Sequence, residues 1–229
     1  MTTALTSFES SVHAARDAEQ HGAWDDALDS YQAALAEIRT SGDRRAEAQL
    51  LRTIGRVYME RGDYERARAS FEECLVAAQT DGQIALAASA LNAMAAIAQL
   101  RGHVDVAESL YARAGDLAQE IGDTRLSAMV DQNLGTLANI RGDLQTALQR
   151  YQSALERFRQ IGDDRAASMV LNNMGMLQVD VSEWAAAELS SNAAYAISER
   201  QNDLANQAKV DTNRAELFLK KQAFDRARE

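Results

Sequence analysis

Residues 54–74 read IGRVYMERGDYERARASFEEC, and their pattern decides the fold. Gly55 and Tyr58 precede Gly62, while Tyr64, Ala67, Phe71 and Cys74 follow it. The steps of four and three from Ala67 to Phe71 to Cys74 place these residues on one helical face. Eighty residues later, two periods of forty, residues 134–154 repeat the arrangement as LGTLANIRGDLQTALQRYQSA.

The period holds along the chain. HGA at 21–23, RGD at 61–63, RGH at 101–103 and RGD at 141–143 form one series. SGD at 41–43, DGQ at 81–83, IGD at 121–123, IGD at 161–163 and QND at 201–203 form a second, half a period away. Alanine recurs at Ala27, Ala67, Ala107, Ala147, Ala187 and Ala227, followed four residues later by Tyr31, Phe71, Tyr111 and Tyr151. Three residues beyond come Ala34, Cys74, Ala114, Ala154 and Ala194. Before each turn of the first series a small residue returns, at Ala15, Gly55, Ala95, Gly135, Gly175 and Ala215. Small side chains at fixed places let two helices approach closely, and the aromatic fills the space beside them.

Composition agrees with an all-α chain. The 229 residues contain no proline and twelve glycines, whereas average usage of about 5% would give roughly eleven prolines. Aromatics make up only 6%, too few for strand-rich folds, which need β-branched and aromatic clusters bounded by turn signals. Eleven of the twelve glycines occupy repeat positions, with Gly115 the exception. Glycine after a helix supplies the left-handed residue that satisfies the last carbonyls. Asp43, Asp63, Asp123, Asp143, Asp163 and Asp203 are placed to cap the next helix. The predicted helices are 3–21, 24–40, 44–61, 64–80, 84–101, 104–120, 124–141, 144–160, 164–181, 184–201 and 204–221. The rule lapses at Ser182, Ser191 and Asn202, so the fifth unit is expected to be the least regular.

The run Gly55, Tyr58, Gly62, Tyr64, Ala67, Phe71, Cys74 resembles the tetratricopeptide repeat signature in a lengthened, 40-residue form. The resemblance covers essentially the whole chain. It implies a right-handed superhelical solenoid of antiparallel helix pairs, read as one domain of about five and a half repeats: 3–40, 44–80, 84–120, 124–160, 164–201 and an incomplete 204–229. The segment KQAFDRARE restarts a second helix, with Phe224 and Ala227 in register. The chain is therefore expected to be the N-terminal part of a longer protein.

Catalytic signals are absent from the sequence. His13 and His21 lie off a shared helical face, and His103 stands where other units have Asp63 and Asp143, so no metal site is expected. Cys74 replaces alanine and reads as a small packing residue rather than a nucleophile. RGD is accounted for by its phase in the repeat, as a capping turn. No glycine-rich phosphate loop follows a strand. The paired charges Glu72 and Glu73, Asp25 and Asp26, and Arg44 and Arg45 belong to solvated faces. No enzyme activity and no cofactor are expected. A net charge of −10 excludes an electrostatic nucleic-acid or anionic-membrane surface, which needs clustered cations. One cysteine fits a reducing compartment, and neither a signal peptide nor an apolar span is present. The expected location is the cytoplasm. Three lysines beside twenty-one arginines suggest a bacterial source.

The resemblance implies that residues one position after, and two or three before, each small packing residue point into a concave groove. Two before gives His13, Thr53, Ala93, Asn133, Asn173 and Asn213; three before gives Val12, Arg52, Asn92, Gln132, Asn172 and Thr212. Asparagine is a mediocre helix former, so its repetition in mid-helix asks for a reason. An amide matches the alternating donors and acceptors of an extended peptide. The row is similar to the asparagine series of 40-residue repeat proteins such as Pins and LGN-type adaptors, kinesin light chains and Rap-type bacterial regulators. The other reading is that these amides bond between helices and only order the stack. Arg52 and Arg56 lie near the N-terminal end, where they could clamp a ligand carboxylate. Gln99, Thr136 and Asn139 lie in the middle, and Met129, Met169 and Met176 beside the row. The two-lysine clamp of chaperone-tail-binding repeats is not reproduced. The leading expectation is a peptide or protein segment bound in the groove, regulating a downstream effector. The alternative is an architectural module that self-associates through its last helix.

Overall fold

The computed structural model describes the backbone of residues 2–228 and the side chains of residues 8–222. Eleven helices and no strand are found among these residues: α1 (Thr2–Gln20), α2 (Trp24–Ser41), α3 (Arg44–Glu60), α4 (Tyr64–Thr80), α5 (Ile84–Leu100), α6 (Val104–Glu120), α7 (Thr124–Ile140), α8 (Leu144–Gln160), α9 (Asp164–Asp180), α10 (Trp184–Arg200) and α11 (Leu204–Arg228). The fold is the expected all-α stack of antiparallel helix pairs, with most ends within one residue of the prediction.

The turns have a common chemistry. At the end of α3, Gly62 adopts φ 77°, its N–H donates to Met59 O at 3.0 Å, and the next N–H, of Asp63, reaches back to Tyr58 O at 2.9 Å. This double bond pattern satisfies the last carbonyls of the helix. All six aspartates foreseen as caps accept from the amide three residues on, as in Asp63 from Arg66 at 3.1 Å and Asp123 from Leu126 at 2.9 Å. The hydroxyl and amide of Thr146 hold the Asp143 carboxyl below the usual range. The Asn206 amide does the same for Asp203. The arginines that open two of these turns are engaged: Arg61 of RGD pairs with Asp25, and Arg101 of RGH with Glu65.

Where the fifth unit departs in sequence it keeps the turn. Ser182 and Asn202 take φ 60° and 53° and make the same pair of backbone bonds, Ser182 N to Val179 O and Glu183 N to Gln178 O among them. A left-handed residue with a Cβ costs about 1–2 kcal/mol, less for asparagine. Ser182→Gly is therefore expected to raise stability by about 0.5–1 kcal/mol after the extra chain entropy of glycine. Asn202→Gly should gain less, and urea denaturation of both variants checks the order.

One expected turn does not form. α11 continues to Arg228, because Gln222 stands at the place of Gly22, Gly62, Gly102 and Gly142 and offers no easy left-handed residue. The foreseen register of Phe224 and Ala227 concerns side chains outside the described residues.

The chain divides into two compact units, Met1–Ile121 and Gly122–Glu229. No boundary is visible in the sequence, since IGD at 121–123 matches IGD at 161–163. The first unit packs around Tyr31, Ile54, Val57, Phe71 and Ile97. The second packs around Tyr151, Phe158, Val170, Leu177 and Val210. Cys74 is fully buried in the first, its thiol facing Ala48 O at 3.1 Å, and burial pushes that thiol up to about 11. In the second unit Asp131 stands where Leu51, Leu91 and Leu171 stand elsewhere. It is bound by Arg150 at 2.9 Å, Ser153 at 2.9 Å and Arg157.

A buried polar group joins α9, α10 and α11. Ser168 and Ser198 both donate to Ala194 O, at 2.8 and 3.0 Å. The Asn206 amide donates to both hydroxyls, at 2.8 and 2.6 Å. Every donor in this buried group is used, as burial of polar atoms requires.

Candidate functional site

Helical spacing of i, i+4, i+7 and i+11 defines one stripe on each first helix. In the second unit the stripes are Met129, Asn133, Thr136 and Ile140 on α7; Met169, Asn173, Met176 and Asp180 on α9; and Lys209, Asn213, Glu216 and Lys220 on α11. α7 lies against α9 and α9 against α11, so the amides Asn133, Asn173 and Asn213 stand as a row across three helices. A flexible apolar edge flanks the row. Met129 and Met169 are 37% and 43% exposed, and Ile140 is 58% exposed at the other end of its stripe.

The residues named from sequence have different tasks here. Asn213 Nδ2 donates to Asn172 Oδ1 at 2.9 Å, so this pair joins α11 to α9. The position three before the small residue varies in its surroundings: Asn172 is half-buried against α11, whereas Arg52 and Thr212 are exposed. Asn92, at the same position, is buried. Asn173 and Gln132 are half-buried and make no side-chain hydrogen bond among the described residues. Asn139 is half-buried one residue before Ile140. Thr136 Oγ1 is 3.1 Å from both Gln132 O and the Tyr151 hydroxyl.

A second device emerges that the sequence reading missed. Three tyrosines, each at the aromatic position of its second helix, reach a polar group on their own first helix. Tyr111 Oη donates to Gln99 Oε1 at 3.0 Å, Tyr151 meets Thr136, and Tyr31 bonds Glu19. Where the aromatic is Phe71, without a hydroxyl, the residue twelve before it is Met59. The signal was present as Glu19 with Tyr31 and Gln99 with Tyr111, twelve apart, but it spans a turn and lies outside helical periodicity.

In the first unit the stripes carry charge and small residues: Gln49, Thr53, Arg56 and Glu60 on α3, and Ser89, Ala93, Ala96 and Leu100 on α5. Arg52 is exposed, one residue off this stripe. Arg56 is already engaged, its Nη2 on both Glu19 oxygens at 2.9 and 2.6 Å and its Nη1 on Glu60 at 2.8 Å. Burial first, and the Glu19 carboxylate second, push the Tyr31 phenol up to about 12. It therefore stays protonated and donates to Glu19. This Tyr31–Glu19–Arg56 group closes the back of a cleft of about 430 Å³ between α1 and α3.

Among the described residues no group of three or more His, Cys, Asp or Glu could hold a metal ion. No described helix is long and apolar enough to cross a membrane. The arrangement can offer amide hydrogen bonds, adaptable thioether contacts and cationic side chains to a bound segment.

Comparison with known proteins bears on this geometry. No sequence among curated proteins matches the chain. Aspartyl phosphate phosphatase F from Bacillus subtilis superposes with a TM-score of 0.84 at 11% identity, covering 94% of this chain and 56% of that one. The Rap conjugation gene regulator of the plasmid pLS20, solved in complex with the Phr* peptide, gives 0.78 at 15% identity, covering 91% and 58%. BtubC from P. vanneervenii gives 0.59 at 20% identity, covering 100% and 91%. At these identities the likeness is one of fold, and the chain spans less than two-thirds of the length of the first two of these proteins. The family description Tetratricopeptide repeat matches residues 7–80 and 124–200. With the small-residue and aromatic positions packed as that signature requires, the chain belongs to the tetratricopeptide repeat family.

Proposed function

We propose that the chain is a non-enzymatic recognition module that binds a peptide or an extended protein segment on the inner faces of its first helices. The observation that carries this reading is the second-unit face, where Asn133 and Asn173 stand beside the exposed Met129 and Met169. Amides satisfy a peptide backbone whatever its sequence, and methionines adapt to an apolar anchor residue. Binding then regulates an effector in a cytoplasmic, bacterial setting. A Rap regulator of the same fold was solved with a peptide, which supports this assignment.

The test uses octapeptides selected from a displayed library and labelled with fluorescein. Asn133→Ala combined with Asn173→Ala is expected to weaken binding at least tenfold by anisotropy, with the chain still fully helical by circular dichroism. Asn172→Ala serves as a contrast, lowering the melting temperature through loss of the Asn213 bond. Unaltered affinity in the double variant overturns the reading. Self-association through α11 is the second reading, supported by Phe218 and Leu219, which are 52% and 69% exposed on that helix. Light scattering separates the two.

A further inference from the structure

Side-chain redox chemistry belongs largely to sulfur, and the chain carries sulfur in two settings. Cys74 is fully buried, its thiol faces Ala48 O at 3.1 Å, and burial holds it protonated at neutral pH. It is closed to oxidants, which act on exposed thiolates. Met174 is buried in the second unit, and Met59, Met94 and Met176 are half-buried. Met129 and Met169 are exposed, and no other methionine among the described side chains is.

The two exposed thioethers share one repeat position, on α7 and on α9, and these helices lie against each other. Each stands one helical turn before the amide of its own stripe, Asn133 or Asn173, so the sulfurs border the amide row. The same position holds Gln49 on α3, Ser89 on α5 and Lys209 on α11. Methionine there is a property of these two helices and not of the repeat. Leucine would give the face the same apolar edge. What methionine adds, beyond flexibility, is a polarizable sulfur whose lone pairs solvent can reach.

We propose that Met129 and Met169 form a peroxide-sensitive modification site, and that their conversion to sulfoxides closes the second-unit face to the apolar anchor of its ligand. A sulfur lone pair attacks one oxygen of hydrogen peroxide, so that an S–O bond forms as the O–O bond breaks. The departing hydroxide takes the proton left on the transferred oxygen and becomes water. Sulfur loses two electrons and the peroxide gains them. Each sulfoxide sets a polar oxygen where the edge was apolar. Because both side chains are exposed, the change falls on the ligand and leaves the stack intact, while burial shields Met174, whose oxidation would disrupt the core. Sulfoxide reductases restore the thioether, so the site is reversible. This rests on the reading of the second-unit face as a ligand site and adds the chemical state that controls it.

The probe is hydrogen peroxide at neutral pH, with each methionine followed by mass-spectrometric peptide sequencing. Met129 and Met169 are expected to oxidise at least tenfold faster than Met174, with helicity by circular dichroism retained. The selected octapeptide should then bind at least tenfold more weakly, and methionine sulfoxide reductases A and B should restore its affinity. In Met129→Leu combined with Met169→Leu, peroxide is expected to change the affinity less than twofold, whatever the affinity of the unoxidised variant. Oxidation of the pair no faster than of Met174, undiminished affinity once both are sulfoxides, helicity lost together with affinity, or an equal peroxide effect in the leucine variant overturns the proposal. A chain that binds no octapeptide before oxidation overturns the second-unit face as a ligand site and the control with it, while the relative oxidation rates still decide the modification site.

Discussion

Tyr111→Ala is expected to lower stability by about 3–5 kcal/mol, the range for deleting a buried aromatic ring. Tyr111 is 1% exposed and stands at the repeat position whose ring meets the small residue in the units of Gly55 and Gly135; the small residue of its own unit, Ala95, has no side chain able to fill the gap. Burial pushes the phenol above its usual range, so it remains a donor at any pH where the fold persists. The hydrogen bond itself carries little of the loss. Its acceptor, Gln99, is half-buried and can turn to water once the hydroxyl is gone. Tyr111→Phe is therefore expected to cost only about 1 kcal/mol. Urea denaturation followed by circular dichroism measures both variants, and a Phe variant as damaging as the Ala one would show that the bond, not the ring, holds α5 to α6. In a repeat stack the damage falls on the neighbouring interfaces, so the transition of the first unit should move more than that of the second.

The fold was legible because helix ends are local. Glycine, aspartate and the 3.6-residue period fix where each helix stops and which face it buries, with no information from distant residues. Ser182 shows the limit of that reading. Its lost glycine predicted an irregular fifth unit, yet the backbone bonds around the turn impose the left-handed conformation on serine at a cost in strain. The site was less legible for a related reason. The asparagine period identified a row but not which amides face solvent, because Asn172 and Asn213 differ by one helical step and bond to each other across helices. Arg56 read as a free cation until Glu19, 37 residues away, was placed against it. The α1–α3 gap leaves no sequence trace at all, since periodicity states that helices stack but not how closely.

Gly135→Val is expected to cost about 3 kcal/mol or more, at the upper end for overpacking a filled interior. A Cβ built on Gly135 would lie 2.9 Å from two ring carbons of Tyr151 and 3.2 Å from the carbonyl oxygen of Ala147. The ring cannot swing freely, because Tyr151 is 2% exposed and its hydroxyl meets Thr136. The carbonyl belongs to the backbone of α8, so relief requires the two helices to separate. The same letter in the sequence has other meanings elsewhere. At Gly55 the nearest atoms are all in the Phe71 ring, at 2.8 to 3.0 Å, with no backbone among them. At Gly175 the close atom is the Ser191 hydroxyl, 2.7 Å away, and the nearest carbonyl, of Ala187, is at an ordinary 3.6 Å. A serine hydroxyl rotates aside, while glycine inside a helix costs about 1 kcal/mol relative to alanine. Gly175→Ala should consequently stabilise by up to about 1 kcal/mol where Gly135→Val destabilises. Thermal melts of the pair decide whether the aromatic, rather than the glycine, sets the spacing of each helix pair: a destabilised Gly175→Ala would mean that α9 and α10 are held close by their backbones alone, whatever stands at Ser191.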